Sequence, residues 1–95
     1  MENIKEEIRK KISCFSKVAW SNQDIMIALD IGETKASQLH QLAKRNRGII
    51  KALKTKVKSE TICLLVGIDA KEEVKRLVNI LKEIEEEEGN RKIEH

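Results

Sequence analysis

The chain has 95 residues, 37% of them charged, with no Pro or Tyr, one Phe and one Trp. This length allows one small domain, and an aliphatic core among many charged residues suits short amphipathic helices better than a β-sandwich. No apolar run approaches the ~18 residues of a membrane-spanning helix, so we expect no membrane partner. The net charge of +3 is unevenly distributed, because the segment from Thr34 to Ser59 has eight Lys or Arg and no Asp or Glu. That segment favours a polyanionic partner over the alternative of a solvated basic surface.

The first helix is predicted over residues 3–15, where apolar residues recur with helical spacing and charged residues lie between them. Its apolar stripe consists of Ile4, Ile8, Ile12 and Phe15. Residues 16–19 are expected to be a short connector. Cys14 and Cys63 are far apart in the chain and lie among apolar residues, so we expect buried, reduced thiols.

A second helix is predicted over residues 22–29, with a strong start signal. Ser21 can cap this helix, and Asp24, three residues later, is the reciprocal partner of a capping box. Trp20 before the cap and Ile25 at the fourth helical position have the spacing of a hydrophobic staple.

A third helix is predicted over residues 33–45, after a short turn. Asp30 lies where left-handed backbone is needed, which Asp tolerates better than most residues. Gly32 lets the chain enter the helix, and Gly48 is the expected stop signal. The two helices form a helix-turn-helix, which needs apolar residues at fixed offsets because the helices pack through one small patch. Those positions are Ile25, Leu29, Ile31, Ala36 and Leu39.

Residues 49–58, IIKALKTKVK, have two interpretations, because the apolar residues have near-helical spacing while the lysines alternate as in a strand. We prefer a short extended wing. The pattern SETICLLV then predicts a short helix that begins at Ser59 or Thr61 and ends at Gly67.

The last helix is predicted over residues 70–88, with Asp69 and Glu72 as a second capping box. Its apolar stripe consists of Val74, Leu77, Val78, Leu81 and Ile84. Packing on the protein's own core is the favoured use of this stripe, and a homodimer through residues 70–84 is the alternative, since part of it has heptad spacing.

The acidic run at residues 85–88 is interpreted as a solvated helix end. The helix dipole disfavours negative charge there, so we expect fraying and a flexible tail over residues 89–95. Residues 1–88 are predicted to form a single, mainly α-helical domain with a helix-turn-helix and a short β wing.

The third helix has a polar face suited to DNA. Lys can donate to guanine, Gln can form two hydrogen bonds with adenine, and Ser or Thr can serve several bases. The residues predicted to contact base edges are Thr34, Lys35, Ser37, Gln38 and Gln41. Those predicted to contact phosphates are Lys44, Arg45, Arg47, Lys51, Lys54, Lys56 and Lys58.

Residues 24–43, DIMIALDIGETKASQLHQLA, resemble the helix-turn-helix of small excisionase-type and phage or mobile-element regulators, and residues 57–69 resemble the stretch after the wing in some of them. The resemblance implies a winged or helix-turn-helix fold, sequence-specific binding of double-stranded DNA, and a role in recombination directionality or transcription. Together with the reduced thiols, it predicts a cytoplasmic protein encoded by a bacterium or phage. Two positions depart from the pattern: Asp30 stands where Gly is usual, and Gly32 where a capping Ser or Thr is usual.

Catalytic chemistry is not expected. His40 is a lone histidine among packing residues, and His95 is the last residue. The sequence has no Cys-x-x-Cys, no histidine pair at metal spacing and no Gly-rich phosphate loop. We therefore expect no enzyme activity, cofactor, metal or small-molecule substrate. Two alternatives to a DNA-binding regulator remain: a small terminase-like subunit for DNA packaging or replication, and a protein-interaction module with no nucleic acid partner.

Overall fold

The computed structural model describes residues 2–46, 48–51 and 53–93, except for the side chains of residues 2, 3, 54 and 90–93. Over these residues the chain forms five helices and three short strands. In chain order they are α1 (Glu2–Phe15), β1 (Ala19–Trp20), α2 (Asn22–Leu29), α3 (Glu33–Arg45), β2 (Ile49–Ile50), β3 (Leu53–Lys58), α4 (Ser59–Val66) and α5 (Ala70–Ile93). The predicted fold class is confirmed, with α2 and α3 as the helix-turn-helix and β2 and β3 as the wing.

The start of α2 has the capping box that the sequence predicts. The Ser21 hydroxyl accepts a hydrogen bond from the Asp24 backbone N–H at 3.3 Å, and the Asp24 carboxylate accepts one from the Ser21 backbone N–H at 3.0 Å. At the other end Asp30 adopts the left-handed conformation, with φ 55° and ψ 49°, and its N–H donates to the Met26 carbonyl. This conformation ends the helix and turns the chain, so that α3 packs against α2.

Helix α3 has the predicted bounds, and Gly48 contributes to its end, as predicted, through a hydrogen bond to a last-turn carbonyl. Asn46, not Gly48, is the C-cap of α3. The Gly48 N–H donates to the Ala43 carbonyl oxygen at 2.7 Å, and a Cβ on Gly48 would lie 2.6 Å from that oxygen. A residue with a side chain would clash with backbone there, so Gly48 allows the chain to pass closely from α3 into the wing.

Strand β3 is the centre of the sheet, which has the order β1-β3-β2 and antiparallel pairing on both sides. Trp20 and Ile49 pair with Val57 from opposite sides, and the pairing of β2 with β3 shifts register between Ile49 and Ile50. The prediction of a connector over residues 16–19 is wrong at Ala19, which begins β1. A two-residue strand has no periodicity of its own, and its partner lies far along the chain, so no local pattern reveals it.

The core lies where the sheet meets the helices. Its largest fully buried side chains are Trp20, Ile25, Ile62 and Val57. The Trp20 indole N–H donates to the Cys14 carbonyl at 2.6 Å, and its ring packs edge-on against Phe15 with centroids 5.5 Å apart. The ring therefore fills the core without leaving its donor unpaired. Cys14 and Cys63 are buried free thiols, as predicted, and burial raises the pKa of both.

Helix α5 packs against α1 and completes the core. Leu77 is buried, and the other residues of the stripe packed around it are Val74, Leu81 and Ile84. The stripe is thus used within the chain, which is the favoured interpretation, and a homodimer through residues 70–84 stays a prediction. On α1, Ile8 and Phe15 are buried as expected, whereas Ile4 is half exposed.

The end of α5 differs from the prediction, because the helix continues past residue 88 to Ile93. The acidic run is engaged with α1: Lys5 Nζ lies 2.8 Å from a Glu88 carboxylate oxygen, and Arg9 lies 3.5 Å from Glu85. Glu85, Glu86 and Glu87 are exposed, as a solvated run predicts, and the run precedes the last turn of α5. The flexibility of residues 89–95 stays a prediction.

Candidate nucleic-acid interface

Helix α3 is held by one buried side and presents the opposite side to solvent. Ala36, His40 and Ala43 are buried. Since successive residues of an α-helix are about 100° apart, these three positions direct Thr34 and Arg45 away from the core. Both are exposed, as are most residues between them that do not face the core.

The outward side of α3 forms a shallow surface concavity, called here the α3 concavity. Its lining residues are Glu33, Thr34, Ser37, Gln38, Gln41, Leu42 and Arg45. Four of the five residues predicted to contact bases therefore share one surface. The fifth, Lys35, lines a neighbouring apolar groove instead, which Gln38 and Leu42 also border.

The apolar groove lies between the helix-turn-helix and the end of α4. Its lining residues are Leu29, Ile31, Lys35, Gln38, Leu39, Leu42, Val66 and Ile68. Of the predicted packing positions, Ile25 and Ala36 are fully buried. Leu29, Ile31 and Leu39 are only partly buried, because they line this groove. The apolar packing positions of the helix-turn-helix are thus open to solvent along one edge.

Besides Glu33 at the start of α3, two residues of the α3 concavity lie outside the set that the sequence predicts to contact bases. Arg45, predicted to contact phosphates, lies with Gln38 and Gln41. The spacing of Thr34, Gln38, Gln41 and Arg45, in steps of four, three and four, is the available signal, because residues so spaced share one helix side. Leu42 is the other, and it is 40% exposed in a mostly polar surface. No polar pattern reveals it, because an isolated Leu in an amphipathic helix normally indicates a core position.

The residues predicted to contact phosphates are spread over α3 and the wing. Lys51 is exposed beside the turn between β2 and β3, while Lys44 and Lys56 are half-buried. Lys58 is exposed but lines a different concavity, with Phe15, Val18 and Ile50 among its residues, so the structure does not bring it to the α3 concavity. Arg47 and the side chain of Lys54 lie outside the described part of the chain.

The described lysines and arginines of this region form no ion pair within the protein. Among the described side chains, every ion pair lies on α1, α2, α5 or the connector after α1. No Lys or Arg described between Thr34 and Ser59 has a carboxylate partner. The positive charge is therefore available to an external anion.

His40 connects α3 to the wing. It is 5% exposed, and its Nε2 lies 3.2 Å from the Thr55 backbone carbonyl oxygen on β3. This contact is consistent with a packing residue and fixes the wing beside α3.

On the other side of the helix-turn-helix, burial alone would raise the pKa of Asp24, but hydrogen bonds from Ser21 and Lys17 outweigh it and lower that pKa below its ordinary value.

Comparison of the chain with protein-family models, curated proteins and solved structures found no match. The resemblance to excisionase-type and phage regulators therefore stays a prediction. Over the described residues, no helix is both long and apolar enough to cross a membrane. Within the same residues, no three His, Cys, Asp or Glu side chains form a group that can hold a metal ion.

Proposed function

We propose that the protein binds specific double-stranded DNA sequences, as a small bacterial or phage-type regulator or an excisionase-like factor. The observation that carries the proposal is the α3 concavity: a polar, outward helix surface beside cations of which none that the structure describes has a carboxylate partner. A helix with its side chains is about 10–12 Å wide, and the major groove of B-DNA is about 12 Å wide, so α3 fits the groove.

In the proposed complex the α3 concavity faces the base edges. Gln38 and Gln41 are suited to adenine, and Arg45 to the two acceptors of guanine. Thr34 and Ser37 can donate to or accept from several bases. Lys35, which points toward the apolar groove, is better placed for the rim of the major groove than for its floor.

The backbone contacts in this proposal come from the end of α3 and the wing. Lys44 and Lys51 supply charge on either side of the junction at Gly48, and Lys56 supplies more on β3. Because His40 joins β3 to α3, these cations hold a fixed position relative to the reading helix. Such contacts carry affinity and little sequence information.

A protein-interaction module is the second candidate, and the apolar groove is the observation that favours it. Leu29, Ile31 and Leu39 line it together with Val66 and Ile68 of the α4 end. An apolar surface with one lysine at its edge can receive an amphipathic partner. A terminase-like subunit stays a third proposal, which a ring-sized mass in light scattering would favour.

Titration with duplex DNA at several salt concentrations tests the proposal. If about five to eight phosphates are neutralised, log K falls against log salt with a slope of roughly −4 to −7. A variant with Lys44, Lys51 and Lys56 changed to Gln should have a shallower slope. The matched control changes three exposed α5 lysines, Lys71, Lys75 and Lys82, and should leave the slope unchanged. Absence of duplex binding at low salt contradicts the proposal.

A further inference from the structure

Leu42 is the one apolar residue in the lining of the α3 concavity, among the residues the structure describes. It is 40% exposed, although the neighbouring Ala43 and His40 of the same helix are buried. Leu42 also borders the apolar groove beside Leu39, but the exposed part of its side chain is not packed on the core.

The neighbours of Leu42 are the candidate base-reading side chains. Gln38 is four residues before it and Arg45 three residues after it, so the three lie side by side on the helix surface. All three line the α3 concavity. A partner that contacts Gln38 and Arg45 from outside therefore also covers Leu42.

The major groove offers one apolar group, the methyl group of thymine, and apolar side chains contact it. Resting on the proposed DNA-binding function, we propose that Leu42 is a specificity-determining residue that selects thymine through its methyl group. Four helical residues span about 6 Å along the axis and base pairs rise about 3.4 Å, so this thymine lies within about two base-pair steps of the base that Gln38 contacts.

The test uses a duplex selected from a random pool by the intact protein. Each thymine of that duplex is then replaced, one at a time, by deoxyuridine, which lacks only the methyl group. At one position the intact protein should bind the deoxyuridine duplex about fourfold more weakly, which corresponds to one buried methyl. Leu42→Ala should bind both duplexes equally, whereas Leu42→Met, which retains an apolar side chain, should keep the preference.

Folding of the variants is checked by thermal denaturation, and a good helix former at a partly exposed site is expected to preserve α3. Leu64→Ala, at a leucine that is 75% exposed on α4 and outside the α3 concavity, is the matched control and should keep the full preference.

Equal binding of every deoxyuridine duplex by the intact protein overturns the inference and leaves DNA binding standing. A preference that persists in Leu42→Ala also overturns it. Absence of any duplex binding overturns both this inference and the proposed function.

Discussion

Asp24→Asn tests how the helix-turn-helix is positioned. The Asp24 carboxylate accepts hydrogen bonds from the Ser21 backbone N–H and from Lys17 Nζ, both at 3.0 Å. Asparagine has nearly the same shape but no charge and only one acceptor oxygen. The substitution therefore weakens the capping box and the contact to Lys17 together, without creating a cavity.

The magnitude follows from those two contacts. A hydrogen bond to a charged group contributes about 1.5–3 kcal/mol net, and asparagine retains part of the cap. The Lys17 side chain is 48% exposed, so solvent screens its ion pair and the pair adds little. A total loss of about 2 kcal/mol in the free energy of unfolding lowers the Tm of a domain of this size by roughly 8–16 °C.

The effect must also depend on pH with a defined sign. The pKa of Asp24 is lower in the folded protein than its ordinary value of 3.8, so the unfolded chain takes up the proton first as pH falls. The stabilisation by the carboxylate is complete above the unfolded pKa and is lost as pH falls through the folded pKa. The difference in Tm between the intact protein and Asp24→Asn should therefore be largest near neutral pH and shrink below about pH 4.

Thermal denaturation followed by far-UV circular dichroism measures both effects. Asp30→Asn is the matched control, because it makes the same chemical change at an exposed residue whose left-handed conformation Asn also tolerates. It should leave the Tm nearly unchanged. Equal melting temperatures of Asp24→Asn and the intact protein at neutral pH would contradict this role of the carboxylate, as would a difference in Tm that stays constant into acid.

Two further pairs of variants test which residues give sequence preference and which give affinity, and how closely the chain passes from α3 into the wing. Gln38→Ala should reduce the preference for the selected duplex over random DNA, whereas Lys51→Ala should weaken binding to both alike. Parallel titrations measure both effects. An unchanged preference in Gln38→Ala would show that α3 is not the reading helix. Gly48→Ala should destabilise the protein by about 1–3 kcal/mol in denaturant unfolding, because its Cβ would press on the Ala43 carbonyl oxygen. Gly89→Ala, where nothing lies within 4 Å of the added Cβ, should instead be neutral or stabilising by up to about 1 kcal/mol, and equal effects of the two changes would contradict the steric argument.

The helix-turn-helix could be predicted from the sequence because its signals are local. The Ser21 and Asp24 capping box, the left-handed Asp30 and the bounds of α3 all depend on residues within a few positions of one another. The alternating lysines likewise indicated the wing over residues 49–58. Capping and turn preferences act through neighbouring backbone groups, so a single segment contains the information they need.

Features that depend on distant segments required the tertiary structure. Strand β1 exists because Trp20 finds a partner in Val57, and α5 extends past residue 88 where Lys5 and Arg9 of α1 meet its acidic run. Neither partner is near in the sequence, so no local pattern encodes the pairing.

The same distinction applies to the candidate site. The spacing of α3 places Gln38, Gln41 and Arg45 on one helix side, but only the packing of α3 showed that Leu42 shares their surface while Lys58 lines another. A helix pattern defines which residues lie together on one side of a helix. Which side is buried, and how far its edge stays open to solvent, depends on what the rest of the chain places against it.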